Sequence, residues 1–283
     1  MKIEVMGSGL YRYVKAPSFG RQDIGYSPGG AADQFSFLTG NALIGNESGT
    51  ESLEFVFLSA IKFTTPGVAV LTGAPLKEPK IYTSDTSDIK ELNHAVTFPV
   101  NEGDILRPGA EKLYGLRTYL SFRPMTFSTA HKLSGRERGD YKAIASWNDP
   151  SGKIRIIAGP EKSWLASGDS LTASHWTVAR ESNAMGLRLI GTELNANRSI
   201  RLMVSSPVAD GTVQLTPKGP IILLRDRQTV GGYPRIASVI SADIDLLAQY
   251  APGKIMRFRE TDIKEAKDSS HLRDITLRKL IIA

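Results

Sequence analysis

Short apolar and alternating segments, separated by turn residues, recur along most of the 283-residue chain. Alternation of apolar and polar residues with a period of two is typical of strands, and clusters of Gly, Pro and Asn between such runs indicate turns. Many short strands at this spacing favour barrels or sandwiches over βαβ units, so the pattern predicts a mainly β protein. The predicted strands are Lys2–Val5, Leu53–Leu58, Ile61–Thr64, Val68–Leu71, Ala95–Pro99, Thr118–Phe122, Ile154–Ala158, Trp176–Ala179, Arg201–Ser205, Thr212–Leu215, Ile221–Leu224, Ile236–Ile240 and Ile255–Arg259.

One helix is predicted early in the chain. It begins with Asp33 as its N-cap and ends near Gly45, because a short polar acceptor favours a helix start and glycine favours a helix end. Its predicted buried face carries Phe35, Leu38 and Ala42, which recur at helical spacing.

A second helix is predicted to start after Ser241 and to end before Pro252. Between the two helices, the segment Leu133–Gly152 has little periodicity and several glycines and arginines. We interpret that segment as a mobile excursion or as a connection between domains.

Composition and charge narrow the class of protein. The formal net charge is +6, but Lys and Arg are interspersed with acids and form no stripe with aromatic residues, which argues against nucleic-acid binding. Cysteine is absent, which excludes disulfides, thiolate metal sites and cysteine nucleophiles. No apolar run is long enough to span a membrane, and Glu4 interrupts the N-terminal apolar stretch, which argues against a signal peptide. We therefore expect a cytoplasmic protein.

Several common catalytic motifs are missing. The chain has no phosphate-binding Gly-x4-Gly-Lys-Ser/Thr loop, no Gly-x-Ser-x-Gly nucleophile elbow and no lysine in a biotin-attachment context. Its four histidines are scattered without metal-ligand spacing, so no metal site is predicted. We expect no cofactor to be bound by this chain alone, and any ATP or biotin would be supplied by partner subunits.

Two polar segments are weaker candidates for a site. The first, Gly29–Asp33, combines glycines with a helix start that could approach an anion, but helix capping by Asp33 explains it better. The second, Glu181–Arg188, could present Asn183 and Arg188 to a carboxylate or an amide. Turn formation around Asn183 explains the second segment equally well.

The strongest candidate is the segment Asp226–Tyr233, which lies between the apolar runs at 220–224 and 236–240. This pattern predicts a hairpin with a Gly-Gly reversal. The segment carries a carboxylate, a guanidinium, an amide, a hydroxyl and a phenol. These groups either satisfy one another and the turn or act on a ligand, with Asp226 handling a proton. In the second case Arg227 or Arg235 would hold a carboxylate.

At these residues the chain resembles the allophanate hydrolase subunit 2 family, also called the biotin-dependent carboxyltransferase family. Its members include the C subunit of 5-oxoprolinase, an antagonist of a sporulation-kinase inhibitor, and part of urea amidolyase. Members usually carry Arg at the position of Ala184 and a Gly/Ser-rich loop after Leu120, and this chain has neither. The matching segments are Gly30–Asp33, Asn41–Asn46, Ser52–Glu54, Leu71–Ala74, Gly159–Pro160, Ser182–Leu189, Gly211–Gln214 and Pro220–Asp243.

The resemblance implies two cyclophilin-like β-barrel subdomains with a few short helices, which we place at residues 1–155 and 156–283. It also implies a subunit-1-like partner protein, similar to the B subunit of 5-oxoprolinase or to a sporulation-kinase inhibitor. The implied substrate is a small amide or lactam, and neither nucleic acid nor a membrane is an expected partner.

Three functions follow from the resemblance. The leading expectation is a component of an ATP-dependent 5-oxoprolinase that opens the lactam of 5-oxoproline to glutamate. The alternatives are a carboxyltransferase component of the urea amidolyase type and a regulatory protein that binds an inhibitor-like partner. The predicted catalytic residues are Asp226, Arg227, Gln228 and Thr229. The predicted substrate-binding residues are Gln214, Arg235, Tyr233, Asn183, Arg188 and Asp33.

Two residues near these candidates are given structural roles. For Tyr233 we favour packing over catalysis, since an aromatic residue after Gly-Gly usually covers a turn. Glu54, which lies between Leu53 and Phe55 on a predicted strand, is expected to face solvent or to be ion-paired.

Overall fold

The structure is a computed structural model that describes residues 2–85, 88–135, 152–197 and 203–282. It is mainly β, as predicted from the sequence. The strands are β1 Ile3–Val14, β2 Ser52–Phe63, β3 Gly67–Gly73, β4 Lys80–Tyr82, β5 Ile89–Glu91, β6 Phe98–Val100, β7 Ile105–Arg107, β8 Thr118–Pro124, β9 Ile154–Ala158, β10 Trp176–Val178, β11 Gly186–Ile190, β12 Ser206–Pro207, β13 Thr212–Thr216, β14 Gly219–Leu223, β15 Val230–Gly231, β16 Arg235–Val239, β17 Ile255–Met256 and β18 Phe258–Glu260.

The helices are few, and only one of those described is long. They are α1 Gln34–Leu43, α2 Phe127–Leu133, α3 Ser170–Ala173, α4 Ile244–Leu247 and α5 Ile263–Ile282, with 3-10 turns at Gln22–Ile24, Lys162–Trp164 and Ser241–Asp243. The excursion predicted at Leu133–Gly152 lies almost entirely outside the described residues. Part of the strand predicted at Arg201–Ser205 also lies outside them, and residues 203–205 are not in a strand.

The chain divides into two compact units. The first comprises Met1–Ala16, Asp33–Ile144 and Thr276–Ala283, and the second comprises Pro17–Ala32 and Ala145–Ile275. Each unit holds one large sheet of eight strands.

The sheet of the first unit has the strand order β5-β4-β7-β2-β8-β3-β6 and forms a half-barrel. Strand β1 pairs antiparallel with β2 along almost the whole length of β2. The other edge of β2 pairs with β8 near its start and with β7 near its end, which lets a single long strand serve both halves of the sheet. Its core is built around Leu53, Ile61 and Leu106, all fully buried.

Helix α1 begins as predicted, with Asp33 as its N-cap. The Asp33 carboxylate accepts hydrogen bonds from the backbone N–H of Ser36 at 2.9 Å and from its hydroxyl at 2.6 Å. The predicted buried face is only partly right, because Leu38 and Ala42 are half-buried while Phe37 is fully buried. The helix is enclosed on nearly all sides, so a one-sided apolar stripe does not describe it.

Polar side chains join α1 to the sheet of the first unit, in addition to the apolar contact of Leu43 with Val68 and Val70. The Asn41 amide donates to the Ser52 hydroxyl at 3.1 Å and accepts from the Asn46 amide at 2.8 Å. A Cβ at Gly40 would lie 2.6 Å from the Ser121 hydroxyl, so only glycine allows this close approach. The family-like segment Asn41–Asn46 is therefore explained by packing within this unit.

The sheet of the second unit has the order β17-β10-β11-β14-β13-β16-β9-β18 and forms a nearly closed barrel. Its two edge strands, β17 and β18, are separated in the chain by Arg257 alone, so the backbone itself joins the two edges. The core packs around Trp176, Val213 and Ile222, each fully buried.

The predicted hairpin around residues 226–233 is wrong. Strands β14 and β16 do not pair with each other, because β13 lies between them and pairs with both. The intervening segment therefore crosses over the end of β13, and on the way β15 pairs with β12 as a separate two-stranded sheet. The crossing places the side chains of the segment on more than one face of the unit.

The helices near the C-terminus also differ from the prediction. A 3-10 turn followed by the four-residue α4 replaces the longer helix predicted between Ser241 and Pro252. Helix α5 was not predicted, since its sequence is rich in charges and has few apolar residues at helical spacing.

Candidate functional site

A cavity of about 390 Å³ opens in the second unit and brings together side chains from β11, β13, β14 and the segment after Arg227. Five of the predicted site residues line it, namely Asn183, Arg188, Gln214, Gln228 and Tyr233. The other lining residues are Glu181, Met185, Gly186, Thr216, Pro217, Lys218, Ile221 and Leu223.

Strand register explains which side chains meet in the cavity. Ile221 on β14 is the register partner of both Arg188 on β11 and Gln214 on β13, so the three side chains stand side by side on one face of the sheet. Their chain neighbours Leu187, Val213 and Ile222 point to the other face and belong to the apolar core. The cavity therefore lies on the outer face of the barrel rather than in its interior.

Gln214 is the most enclosed polar residue of the cavity, with 1% of its surface exposed. Its Nε2 donates to the backbone oxygen of Tyr233 at 3.2 Å, which ties β13 to the end of the crossing segment. A Cβ at Gly231 would lie 2.5 Å from this nitrogen, so the glycine makes room for the amide. The amide is thus held in position before any ligand arrives.

The Glu181–Arg188 segment forms a tight turn, which was one of its two interpretations. Asn183 and Gly186 exchange backbone hydrogen bonds at 3.1 and 3.3 Å, and the Asn183 side-chain oxygen accepts from the Met185 N–H at 2.9 Å. The Ser182 hydroxyl accepts from the backbone N–H of Arg188 at 3.0 Å. The turn therefore fixes the start of β11 and places the exposed Arg188 side chain on the cavity wall.

Two cations line the cavity without an ionic partner. Neither Arg188 nor Lys218 forms an ion pair with a carboxylate among the described residues. Lys218 was missed from the sequence, because it lies in the turn between β13 and β14, where the period of two of a strand gives no signal. Met185, Ile221 and Leu223 add an apolar wall next to these cations. Against these two cations the lining has one carboxylate, that of Glu181, so its net charge is positive and the cavity can bind a small anion that also has an apolar part.

Arg227 is not part of the cavity. It is 5% exposed, and its Nε donates to the Asp210 carboxylate at 2.8 Å. Arg225 also binds Asp210, at 3.2 Å, and reaches Asp245 at 3.1 Å. Arg273 of α5 completes this ion-pair network through a second contact with Asp245.

Arg235 is also held outside the cavity, by a two-pronged ion pair with Glu161. The Arg235 Nε and Nη2 atoms lie 2.9 and 2.8 Å from the two Glu161 oxygens, and the backbone N–H of Arg235 donates to the same carboxylate at 2.9 Å. These hydrogen bonds lower the pKa of Glu161 and raise the pKa of Arg235. A hydrogen bond from Arg235 to the Pro207 carbonyl at 3.2 Å anchors β12 as well.

Asp226 and Thr229 do not line the cavity. The Asp226 backbone N–H contacts the Ala184 carbonyl at 3.4 Å, next to the cavity turn. Its carboxylate lies beside the glycine pair of the first candidate segment, 3.8 Å from where a Gly29 Cβ would stand. Gly29 and Gly30 have φ values of 58° and 81°, and the Gly29 N–H donates to the Arg225 carbonyl at 3.1 Å. The fold thus brings together two candidate segments that are far apart in sequence.

Asp33, the remaining predicted residue, belongs to the first unit. Its backbone N–H donates to the Tyr119 hydroxyl at 2.9 Å, and that hydroxyl donates to Glu54 at 2.7 Å. Arg12 donates to the other Glu54 oxygen at 2.8 Å, so the expected pairing of Glu54 is confirmed and its exposure to solvent is not. Burial, followed by the charges of Glu54 and Asp33, raises the pKa of Tyr119. This network stabilises the first unit.

Metal sites and membrane-spanning helices are both absent from the part of the chain that the structure describes. Within it, no group of three or more His, Asp or Glu side chains is placed to hold a metal ion. None of the described helices is long and apolar enough to cross a membrane.

The sequence matches one known family over most of its length. Residues 24–136 and 126–260 match the family described as "Carboxyltransferase domain, subdomain A and B". The chain belongs to this family. The resemblance inferred from the sequence motifs is therefore confirmed.

The relatives of this carboxyltransferase-domain protein have more than one name. It is 29% identical to the Escherichia coli protein named as the C subunit of 5-oxoprolinase, over 93% of both chains. It is 25% identical to an Emericella nidulans protein named putative urea carboxylase, over 93% of this chain but 24% of the fungal one. The crystal structure of Kluyveromyces lactis urea carboxylase shares the fold with a TM-score of 0.82 at 21% identity, and the match covers 98% of this chain and 29% of that one.

Proposed function

We propose that this chain is the counterpart of the C subunit in a multi-protein, ATP-dependent 5-oxoprolinase, in which its cavity holds the lactam. The observation that carries the proposal is the pairing of an immobilised amide, Gln214, with two cations that have no carboxylate partner among the described residues, Arg188 and Lys218. 5-Oxoproline presents a planar lactam amide and a carboxylate, joined by methylene groups. A side-chain amide suits the lactam and the cations suit the carboxylate.

The apolar wall fits the rest of this ligand. Met185, Ile221 and Leu223 would contact the ring methylenes while Arg188 and Lys218 hold the carboxylate at the rim. The volume of about 390 Å³ exceeds that of a small lactam acid, which leaves space for a group contributed by a partner. In this arrangement the chain binds and orients the substrate.

Asp226 has a positioning role in this proposal. Its backbone N–H contacts Ala184 in the turn that carries Met185, and its side chain lies beside the Gly29–Gly30 pair. Gln228 and Tyr233 line the cavity from the crossing segment and limit its width.

ATP would bind to a partner, since the chain has no phosphate-binding loop. We propose that the partner is a subunit-1-like protein that covers the mouth of the cavity. Met185 and Tyr233 support this, because both line the cavity and yet are 47% and 39% exposed. Large apolar side chains exposed at a cavity mouth are typical of a surface that becomes covered.

The test is ATP-dependent glutamate formation from 5-oxoproline by the chain co-purified with its partner proteins. Arg188→Ala and Lys218→Ala should each raise the KM for 5-oxoproline by roughly 10- to 100-fold, since each removes about 1.5–3 kcal/mol of charge-assisted binding. Lys254→Ala, at an exposed lysine outside the cavity, is the matched control. Unchanged KM values for both cavity variants would contradict the proposed substrate site, and activity of the isolated chain would contradict the need for partners.

A second candidate function is the transfer of a carboxyl group from partner-bound carboxybiotin to urea. The family description and the relatives named urea carboxylase and urea amidolyase favour it. Urea also presents a planar amide that Gln214 could bind, but it has no carboxylate for Arg188 and Lys218. Assays with urea, bicarbonate, ATP and a biotinylated partner separate the two reactions. A stable complex with a subunit-1-like partner that is inactive in both assays would favour the regulatory role.

A further inference from the structure

Lys112, which belongs to the first unit, has an unusual environment. It lies between β7 and β8, and its Nζ donates to the Thr118 hydroxyl at 2.7 Å. The same nitrogen stands 5.0 Å from the centre of the Phe55 ring. Phe55 and Thr118 are register partners on neighbouring strands and both are buried, so the amine sits at the edge of the apolar core.

No carboxylate among the described residues balances this ammonium group. Lys77 and Lys80, in contrast, pair with Glu111 at 3.1 Å and Glu91 at 3.8 Å. The Thr118 hydroxyl donates its own hydrogen to the Ala74 carbonyl at 2.7 Å and accepts from Lys112, so it offers only a neutral contact. Burial without a counter-ion favours the neutral amine and lowers the pKa of Lys112 to about 8.

We propose that Lys112 is a nucleophilic amine that accepts acyl groups from small activated acyl donors of the acyl phosphate class. The lone pair of Nζ attacks the carbonyl carbon and forms an amide bond, while the bond from that carbon to the phosphate oxygen breaks. Inorganic phosphate leaves with the bonding electrons, and the nitrogen releases one proton to solvent. The step needs no oxidant or reductant.

The fraction of neutral amine decides the selectivity. An amine with a pKa of about 8 is roughly one quarter neutral at pH 7.5, whereas an ordinary lysine with a pKa of about 10.4 is neutral at roughly one part in a thousand. The less basic amine of Lys112 is also a weaker nucleophile, which cancels part of the gain from its larger neutral fraction. We therefore expect Lys112 to react about tenfold faster than an exposed lysine.

Acylation would also change the first unit. It removes the positive charge above Phe55 but leaves one N–H that can still donate to Thr118. The modified side chain would therefore keep its hydrogen bond and lose its cation–π contact.

The experiment treats the full chain with acetyl phosphate between pH 6.5 and pH 10 and measures acetylation at every lysine by peptide mass spectrometry. We expect Lys112 to react about tenfold faster than the exposed Lys254 at pH 7.5, with a rate that levels off above about pH 8–9. A rate equal to or below that of Lys254, or one that keeps rising to pH 10, would overturn the proposal. A lysine that is merely buried would give the slower rate.

Two variants sharpen the result. Thr118→Val removes the oxygen that stabilises the ammonium form, so the pH at which Lys112 becomes reactive should fall. Thr118→Ser keeps the hydroxyl and should behave like the wild type. A fall in reactivity for Thr118→Val with a correctly folded chain would contradict the proposed role of desolvation, and the circular dichroism spectrum of each variant verifies the fold.

Discussion

The segment between Asp210 and Arg235 contains two groups of residues that use charge in opposite ways. In the first group, Arg225, Arg227 and Arg235 each bind a carboxylate of the same unit and lie outside the cavity. In the second group, Gln214 lines the cavity with Lys218, which has no carboxylate partner among the described residues. The charged residues that make the motif conspicuous therefore hold the crossing segment in place, and less conspicuous neighbours form the binding surface.

This difference follows from the cost of burying charge. A guanidinium removed from water must be compensated by a carboxylate and hydrogen bonds, which Asp210 supplies to both Arg225 and Arg227. The N–H donors of such a cation are already used within the protein, so few of them remain to bind a ligand. A rim cation such as Arg188 stays hydrated, and it gains from a ligand carboxylate when the ligand arrives.

The largest effect that tests this comparison is a loss of stability when an ion-paired arginine is removed. Arg227→Ala should lower the free energy of unfolding by about 3–5 kcal/mol, because it removes a buried guanidinium and leaves the largely enclosed Asp210 carboxylate with Arg225 alone. Chemical denaturation followed by circular dichroism measures it. Lys218→Ala is the control from the cavity-lining group and should change stability by less than about 0.5 kcal/mol. A small loss for Arg227→Ala combined with loss of complex activity would instead support the catalytic role predicted for Arg227 from the sequence.

Part of the fold could be predicted because its signals are local. The Asp33 cap needs only a side-chain acceptor three residues before the Ser36 N–H. Strands such as Ile154–Ala158 are predicted by their apolar composition alone. Helix α5 could not be predicted, since it is fixed by distant partners such as Arg155, which donates to Ser269 at 2.7 Å. Its own sequence resembles a solvated charged segment.

The candidate site also combines residues that could be predicted from the sequence with contacts that could not. Arg188, Gln214 and Gln228 were predicted from their chemistry and do line the cavity. The ion pair of Arg235 with Glu161 could not be foreseen, because it joins residues 74 positions apart. The insertion of β13 between β14 and β16 was equally hidden, since two apolar runs flanking a Gly-Gly pair give the same sequence pattern whether or not they are neighbours.

A medium effect is expected at the glycine that makes room for the cavity amide. Gly231→Ala would place a Cβ 2.5 Å from the Gln214 Nε2 and should push this amide away from Tyr233, at a cost of about 1–3 kcal/mol in stability. If Gln214 binds the substrate, the KM of the assembled complex should rise as well.

Gly232→Ala is the control for this substitution. Its nearest contact would be the Ser205 hydroxyl at 3.3 Å, which can move aside. If Gly231→Ala lowers stability and leaves KM unchanged, Gln214 has a structural role and does not bind the substrate.

The smallest effect concerns the Glu161–Arg235 pair and is best seen as a function of pH. The hydrogen bonds from Arg235 lower the pKa of Glu161 below its ordinary value of 4.5, so the carboxylate stabilises the fold above that value and loses this contribution as the pH falls through the lowered pKa. Glu161→Gln should therefore reduce stability by about 1 kcal/mol near neutral pH, since the pair is partly exposed. The difference in Tm between the wild type and the variant should stay constant from about pH 5 to pH 8 and shrink below about pH 4. Other acids that titrate in the same range, such as Glu265, are present in both proteins and cancel in the difference. A difference that does not shrink below about pH 4 would show that the Glu161 charge does not hold Arg235, and would favour its contact with the Pro207 carbonyl.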